Sequence, residues 1–142
     1  MASRHLRHVA SQELSATIER MRPKALKPGD TLGIVSPASP LTPEKLERGT
    51  EKLRARGYKI KLMPNALAAD GYLAGTDEQR ASDMMAAFHD PEVDGVYCSR
   101  GGYGCARIMP MLDLDFIANS GKPFLGYSDV TTLHLALTRR GT

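Results

Sequence analysis

Short apolar segments alternate with well-delimited helical segments along most of this chain, and that alternation is the feature that most restricts its fold. The apolar segment Thr31–Ser36 is typical of a buried strand, and Thr42 and Pro43 then supply the cap and first residue of a helix. Strands that alternate with helices at this spacing form βαβ units. We therefore predict an α/β fold with a small, mostly parallel sheet. Its other strands are expected at Tyr58–Met63, Val93–Ser99 and Lys122–Gly126.

The segments between these strands carry their own helix signals. Thr76 and Gln79 form a capping-box pair ahead of a helix that is expected to end near Asp90. Basic residues and Gly57 mark the end of the helix before it. Further helical segments are expected at Cys105–Met109, Leu112–Ala118 and Val130–Arg139.

The first residues of the chain are expected to form a separate basic segment. Residues 1–25 are predicted to be a tail with a short helix that begins at the cap Ser11 and ends before Pro23. Residues 26–142 are predicted to form one domain, because a chain of this length suits a single hydrophobic core.

Charge, hydrophobicity and cysteine content exclude several classes of protein. Residues 1–27 hold six Lys or Arg and two Glu, which leaves the rest of the chain at −1 out of a total of +3. With no aromatic residue before Tyr58 to stack on bases, this balance argues against nucleic-acid binding. No apolar segment approaches the roughly 18 residues of a membrane span or the core of a signal peptide, so we expect a cytoplasmic protein. Cys98 and Cys105 lack the spacing of a zinc site and are expected to be reduced and structural.

Two loops follow predicted strands at the edge where open α/β sheets bind their ligands. They are Arg100–Gly104, whose three glycines expose backbone amides, and Gly126–Asp129. The glycine loop is interpreted either as a tight strand-to-helix turn or as a cradle for phosphate, although it matches neither the Walker A nor the GxGxxG pattern. Arg100 is expected either to clamp a carboxylate or phosphate or to be an ordinary surface arginine.

Ser128 lies between a strand and a helix in the pattern of a nucleophile elbow. A sharp turn there lifts the hydroxyl clear of the sheet, and the Asp129 amide faces the developing oxyanion. Val130 departs from the usual pattern, which has a glycine at that position. The alternative is that Ser128 or Asp129 only caps the last helix.

No histidine occupies a clear position for a general base beside Ser128. His5 and His8 fall in the tail, and His89 closes a helix. His134 lies six residues past the serine on the same predicted helix, so it is expected at the helix surface or in packing.

Four motifs of this chain, taken in order, resemble the N-terminal domain of the LD-carboxypeptidases, serine peptidase family S66. The resemblance runs from about Leu26 to the end of the chain. It implies a flavodoxin-like, class I glutamine amidotransferase-like three-layer sandwich. The motifs are Gly29-Asp30 before a strand that ends Ser36-Pro37, Gly71 to Asp77, Arg100 to Gly104, and Gly126 to Thr131.

This resemblance implies a serine carboxypeptidase that removes the terminal D-alanine from murein tetrapeptides during cell-wall recycling. Ser128 is then the nucleophile, and the backbone amide of Asp129 is one oxyanion donor. An amide of Gly101 or Gly102 is the other donor. No metal or organic cofactor is implied, because acyl transfer through a serine ester needs only a base, oxyanion donors and water.

The resemblance also implies partners for the reaction. Arg100 and Tyr103 are expected to border the murein peptide, and neither nucleic acid nor a membrane is expected to bind. The glutamate and histidine that complete the family's triad belong to a C-terminal domain that is absent from this chain. We therefore expect the chain to be nearly inactive alone and to need that domain in cis or in trans. The resemblance also implies that the full-length protein is a homodimer.

Other functions stay open at this point. A related branch of the family hydrolyses peptidyl-nucleotide antibiotics of the microcin C type. A non-catalytic flavodoxin-like module, in which the glycine loop binds an anion and Ser128 only caps a helix, is another interpretation. A third is a decayed fragment with no present function.

Overall fold

A computed structural model describes residues 23–140 of the chain. Strands and helices alternate throughout that part, as the sequence predicts. The strands are β1 (Thr31–Val35), β2 (Lys59–Leu62), β3 (Gly95–Cys98) and β4 (Phe124–Leu125). The α-helices are α1 (Pro43–Arg54), α2 (Asp77–His89), α3 (Cys105–Ile108), α4 (Leu114–Asn119) and α5 (Thr131–Thr138), and Met109–Met111 and Ser128–Val130 form 3₁₀ turns.

The four strands run parallel in the order β2-β1-β3-β4. Thr31 pairs with Lys59 of β2, and Leu32 pairs with Gly95 of β3. The chain passes from β1 to β2 on one side and then to β3 on the other, so the direction of winding reverses between β1 and β3. Open sheets bind ligands outside the carboxyl ends of the strands at such a reversal. The predicted α/β class with its small parallel sheet is confirmed.

Helices cover both faces of the sheet. Alternate residues of β1 point to opposite faces, so Leu32 and Ile34 pack with Leu46 of α1 on one side. Val35 packs on the other side with a larger core. That core draws its buried side chains from β3 and from the helices α2 to α5, among them Met84, Phe88, Val96, Cys98, Ile108, Ile117 and Leu133.

Polar caps fix the first residues of α1 and α2 where the sequence predicts them. The Thr42 hydroxyl accepts a hydrogen bond from the Lys45 amide at 3.4 Å, and Pro43 opens α1. The capping box of α2 is confirmed. The Thr76 hydroxyl accepts from the Gln79 amide at 3.2 Å, and the Gln79 side chain accepts from the Thr76 amide at 3.0 Å.

The last helix differs from its predicted range. The sequence predicts one helix over Val130–Arg139, whereas a 3₁₀ turn over Ser128–Val130 precedes α5. This tight turn lets Val130 reach the larger core, where it is fully buried, while Ser128 stays exposed.

The chain is already tied to the fold before β1. The Lys24 amide donates to the Gly121 carbonyl at 3.0 Å, and Leu26 packs against the smaller core that contains Leu32. The helix predicted from Ser11 lies outside the described residues, so it stays a prediction. No helix within residues 23–140 is long and apolar enough to cross a membrane.

Both cysteines are free and buried. Cys98 ends β3, and Cys105 opens α3. Burial raises the pKa of both thiols above the ordinary value, because the thiolate is poorly solvated inside the protein. This environment agrees with the expectation that they are reduced and structural.

We predict that neither thiol reacts with Ellman's reagent in the native protein at about pH 8, because the thiolate is the reacting species and burial suppresses it. Unfolding in guanidinium chloride should release the reactivity of both Cys98 and Cys105. Rapid reaction of one thiol in the native protein would contradict their structural role.

Candidate active site

Three loops meet at the carboxyl ends of β1, β3 and β4. The sequence predicts two of them, Arg100–Gly104 and Gly126–Asp129, and the structure adds Ser36–Pro40 after β1. The hydroxyl oxygens of Ser36 and Ser99 lie 2.7 Å apart, which joins the ends of β1 and β3. The loops therefore gather at the reversal of winding, where this class of fold binds ligands.

Ser128 has a backbone φ of +61°, the only positive φ of a non-glycine residue within residues 23–140. A left-handed backbone costs a residue with a Cβ about 1–2 kcal/mol, so it persists only where the surroundings impose it. The side chain is exposed, and its hydroxyl makes no hydrogen bond to another residue of the described part. This geometry matches the sharp, raised turn that an elbow requires.

Gly101 allows the glycine loop to touch Ser128. A Cβ on Gly101 would lie 2.6 Å from the Cβ of Ser128 and 3.0 Å from its hydroxyl oxygen. It would also lie 2.9 Å from the carbonyl oxygen of Tyr127. Real Cβ atoms do not approach backbone so closely, so glycine is required here. The two loops that the sequence singles out are in direct contact.

Val130 fits this turn because Gly126 makes room for it. A Cβ on Gly126 would collide with the Val130 side chain and lie 3.2 Å from the Cys98 sulfur. Val130 itself is part of the larger core. The valine at this position therefore leaves the turn intact, because Gly126 provides the space that the Val130 side chain needs.

Ser39, in the loop after β1, holds the glycine loop from another side. Its amide donates to the Gly101 carbonyl at 3.4 Å, and its hydroxyl accepts from the Tyr103 amide at 3.3 Å. A Cβ on Gly102 would collide with the Ser39 side chain. The carbonyl and the following N–H of a trans peptide point in opposite directions, so the Gly102 amide points away from Ser39.

The backbone amides of Gly101, Gly102 and Asp129 donate no hydrogen bond within residues 23–140. Neighbouring unpaired amides form a partial positive charge that binds anions. Gly101 touches Ser128, Gly102 follows Gly101 and Asp129 follows the serine, so the three residues lie near the Ser128 side chain. A hydroxyl beside free amide donors is the arrangement that acyl transfer uses.

The Asp129 carboxylate contacts the start of α3, next to the glycine loop, instead of the last helix. Its Oδ2 accepts from the Cys105 amide at 2.8 Å. Neither the 3₁₀ turn at Ser128–Val130 nor α5 has a side-chain cap. The interpretation of Ser128 or Asp129 as a mere cap for the last helix is therefore wrong. The bond instead ties the turn that carries the serine to the end of the glycine loop.

Arg100 and Tyr103 differ in what they offer to a ligand. Arg100 is half-buried and donates through Nη1 to the Pro40 carbonyl at 3.1 Å. Tyr103 is 73% exposed, and its ring meets that of Tyr72 edge to face with centroids 6.5 Å apart. Their contact with a substrate stays a prediction.

An open cleft of about 600 Å³ lies on the side of the glycine loop that Gly104 and Tyr103 face. Asp129, which directly follows Ser128, forms part of its lining. A volume of this size is typical of sites for small ligands. The other lining residues are Tyr72, Tyr103, Gly104, Ala106 and Arg107.

A buried arginine that the sequence analysis does not single out joins the loops around this cleft. Arg80 of α2 is 1% exposed and pairs with Asp77. Its guanidinium donates to the carbonyls of Pro37 at 2.8 Å, Gly104 at 3.0 Å and Gly75 at 3.4 Å. Each carbonyl belongs to a different loop, so one side chain sets the spacing of all three.

The histidines of the described part make their contacts away from Ser128. The His89 ring stacks on Phe116 with centroids 4.0 Å apart. The His134 ring packs edge to face on Phe124 at 5.0 Å, so of its two expected positions, helix surface or packing, the contact agrees with packing. Residues 23–140 contain no cluster of three or more His, Cys, Asp or Glu side chains that would hold a metal ion.

We predict that Arg80→Met destabilises the protein by about 3–5 kcal/mol, because it leaves buried carbonyls without donors and removes one partner of a buried ion pair. Arg107→Met is the matched control. Arg107 shares the partner Asp77 but is exposed, so the loss of its screened ion pair should cost far less. Urea unfolding followed by circular dichroism measures both losses, and equal losses would contradict the role of Arg80.

Comparisons with known proteins identify the family of this chain. The family model of the LD-carboxypeptidase N-terminal domain matches residues 32–142. The "Probable murein peptide carboxypeptidase" of Bacillus subtilis is 43% identical over 116 residues, which cover 82% of this chain and 36% of that protein.

Solved structures of the family superpose on the same fold. The muramoyltetrapeptide carboxypeptidase from Oxalobacter formigenes has a TM-score of 0.72 and 32% identity, covering 79% of this chain and 38% of that one. The microcin C7 self-immunity protein MccF, in complex with glutamyl sulfamoyl guanosine, has a TM-score of 0.79 and 28% identity. The match covers 84% of this chain and 37% of the MccF chain.

The match to the family contains the three loops that form the site. This chain spans well under half the length of the proteins compared above. It therefore belongs to the LD-carboxypeptidase family, serine peptidase family S66, and corresponds to its N-terminal domain.

Proposed function

We propose that this chain provides the nucleophile of a serine LD-carboxypeptidase that removes the terminal D-alanine from murein tetrapeptides. The observation that supports this most is the left-handed Ser128, which lies against Gly101 and beside amides with no partner among residues 23–140. Two of the compared proteins are named for carboxypeptidase action on murein peptides. The proposed role of this activity is cell-wall recycling in the cytoplasm.

In the proposed reaction the Ser128 hydroxyl oxygen attacks the carbonyl carbon before D-alanine, and its proton passes to a general base. The carbonyl oxygen becomes an oxyanion that accepts hydrogen bonds from the Asp129 and Gly102 amides. Collapse of this intermediate breaks the C–N bond, and D-alanine leaves after its nitrogen takes the proton from the base. Water then attacks the ester, which releases the shortened peptide and restores the serine.

The orientation of the glycine loop supports Gly102 as the second oxyanion donor. The Gly101 carbonyl accepts from the Ser39 amide, so the same peptide turns the Gly102 N–H away from Ser39. Ser128 occupies the space beside the α-carbon of Gly101. The Gly102 amide is therefore free for a group bound next to the serine.

The general base in this proposal comes from outside residues 23–140. The Ser128 hydroxyl has no hydrogen-bond partner there, and His89 and His134 pack against other residues. The family resemblance assigns the glutamate and histidine of the triad to a C-terminal domain, and this chain spans 36% of the Bacillus subtilis relative. Residues 1–142 alone should be nearly inactive, because loss of a triad base lowers the rate by several orders of magnitude.

Hydrolysis of a peptidyl-nucleotide antibiotic is the second candidate function. It is favoured by the similarity to MccF, a microcin C7 self-immunity protein whose structure holds glutamyl sulfamoyl guanosine. Both functions use a serine and oxyanion donors in the same way. They differ in the group released, which is D-alanine in one case and a nucleotide-bearing group in the other.

Hydrolysis of a diaminopimelate-containing tetrapeptide, followed by mass spectrometry, tests the proposal. The protein is this chain extended through any downstream reading frame or supplied in trans with the C-terminal domain of the Bacillus subtilis relative. We expect release of D-alanine that Ser128→Ala abolishes. Gly101→Ala should lower the rate by about 10²–10³-fold, because its Cβ displaces the serine from the oxyanion donors.

Gly49→Ala is the matched control for the glycine variant. A Cβ at Gly49, in α1, would meet no atom within 4 Å, so this variant should keep full activity. Release of D-alanine that survives Ser128→Ala would contradict the proposal. Hydrolysis of a peptidyl-nucleotide in place of the tetrapeptide would favour the second function, and tight phosphate binding without either reaction would favour a binding module.

A further inference from the structure

The cleft lined by Asp129, the residue after Ser128, has one cationic side chain among its lining residues. That residue is Arg107 of α3, and Asp129 is the one anionic residue among them. The other walls are two tyrosine rings, a glycine and an alanine. The reaction steps proposed above leave Arg107 without a role.

Asp77, in the first turn of α2, fixes the orientation of Arg107. The Arg107 Nε lies 3.0 Å and 3.1 Å from the two carboxylate oxygens, and Nη2 lies 2.8 Å from Oδ2. Contact at two nitrogens holds the plane of a guanidinium. The Arg107 side chain is nevertheless 57% exposed. It is therefore both pre-oriented and accessible from the cleft.

Asp77 is shared by two arginines, so this cluster keeps a positive charge. Arg80 pairs with the same carboxylate, and its remaining contacts are to backbone carbonyls. Two guanidiniums and one carboxylate give these three side chains a net charge of +1, and Glu78 and Asp129 are the further anions near Arg107. Because Arg80 is enclosed, a ligand in the cleft meets that charge at Arg107.

Part of the Arg107 guanidinium remains available for a ligand. Its Nη1 makes no hydrogen bond to any residue within 23–140. A guanidinium has five N–H donors, so it can hold Asp77 at one edge and a second carboxylate at another. Asp77 also raises the pKa of Arg107 further, which keeps the side chain charged.

We propose that Arg107 binds the free carboxylate of the C-terminal D-amino acid and so makes this cleft the subsite for the leaving residue. The proposal rests on the carboxypeptidase function proposed above. An enzyme that removes only the last residue must distinguish a chain end from an internal peptide bond, and the terminal carboxylate is the group that marks the end. Arg100, which the family resemblance places beside the substrate, bonds to the Pro40 carbonyl and does not line this cleft.

A binding measurement on the 142-residue chain tests this proposal without any need for catalysis. The isotope-labelled protein is titrated by NMR with acetyl-L-lysyl-D-alanine and with the same peptide carrying a C-terminal amide. We expect the acid to bind about tenfold more tightly than the amide, as the loss of a charge-assisted hydrogen bond predicts. Arg107→Gln should abolish this preference, and Arg107→Lys should restore part of it.

Arg54→Gln is the matched control, because Arg54 pairs with Glu47 on the surface of α1 and does not line this cleft. It should keep the preference for the acid. The proposal is overturned if the unaltered chain shows no such preference or binds neither peptide, and also if the preference survives Arg107→Gln. The two proposals fail separately. If the preference for the acid depends on Arg107 but the extended protein hydrolyses no tetrapeptide, the result counts against the proposed reaction alone. If the extended protein hydrolyses the tetrapeptide but the chain shows no preference for the acid, the result counts against this subsite alone.

Discussion

The site depends on one buried guanidinium. Arg80 pairs with Asp77 and donates to carbonyls of the loop after β1, the loop before α2 and the glycine loop. A buried charge is tolerated only when its partners satisfy it, so these loops cannot separate without leaving polar groups unpaired. The same Asp77 orients Arg107 at the surface. One ion cluster therefore connects the interior of α2 with the wall of the cleft.

Packing on two sides sustains the left-handed backbone of Ser128. Gly101 lies against the serine from the glycine loop, and the buried Val130 anchors the turn in the larger core. The Asp129 carboxylate adds a bond to the start of α3. Conformational strain of this kind is characteristic of sites where a side chain must be presented in one direction. Here the Ser128 side chain is exposed near backbone amides that donate no hydrogen bond within residues 23–140.

Local signals predict the fold better than the site, because the site is built from distant residues. The Thr76 capping box is visible in the sequence since its partner is three residues away. Ser39, which orients the glycine loop, is 64 positions from Tyr103 and has no local signal. Arg80 does have a local signal. It is four residues from Met84 and so shares the apolar face of the helix, where a buried arginine needs a partner for its charge. The identity of that partner depends on tertiary structure.

A crystal structure of the extended protein with a peptide boronate tests the role of Ser128 most directly, because a boronate forms a tetrahedral adduct on a nucleophilic serine. We expect a bond from boron to the Ser128 hydroxyl oxygen. One boronate oxygen should lie about 3 Å from the amide nitrogens of both Asp129 and Gly102. Attachment to another residue, or a boronate oxygen that faces away from the glycine loop, would contradict the assignment of Ser128 as nucleophile and of these amides as oxyanion donors.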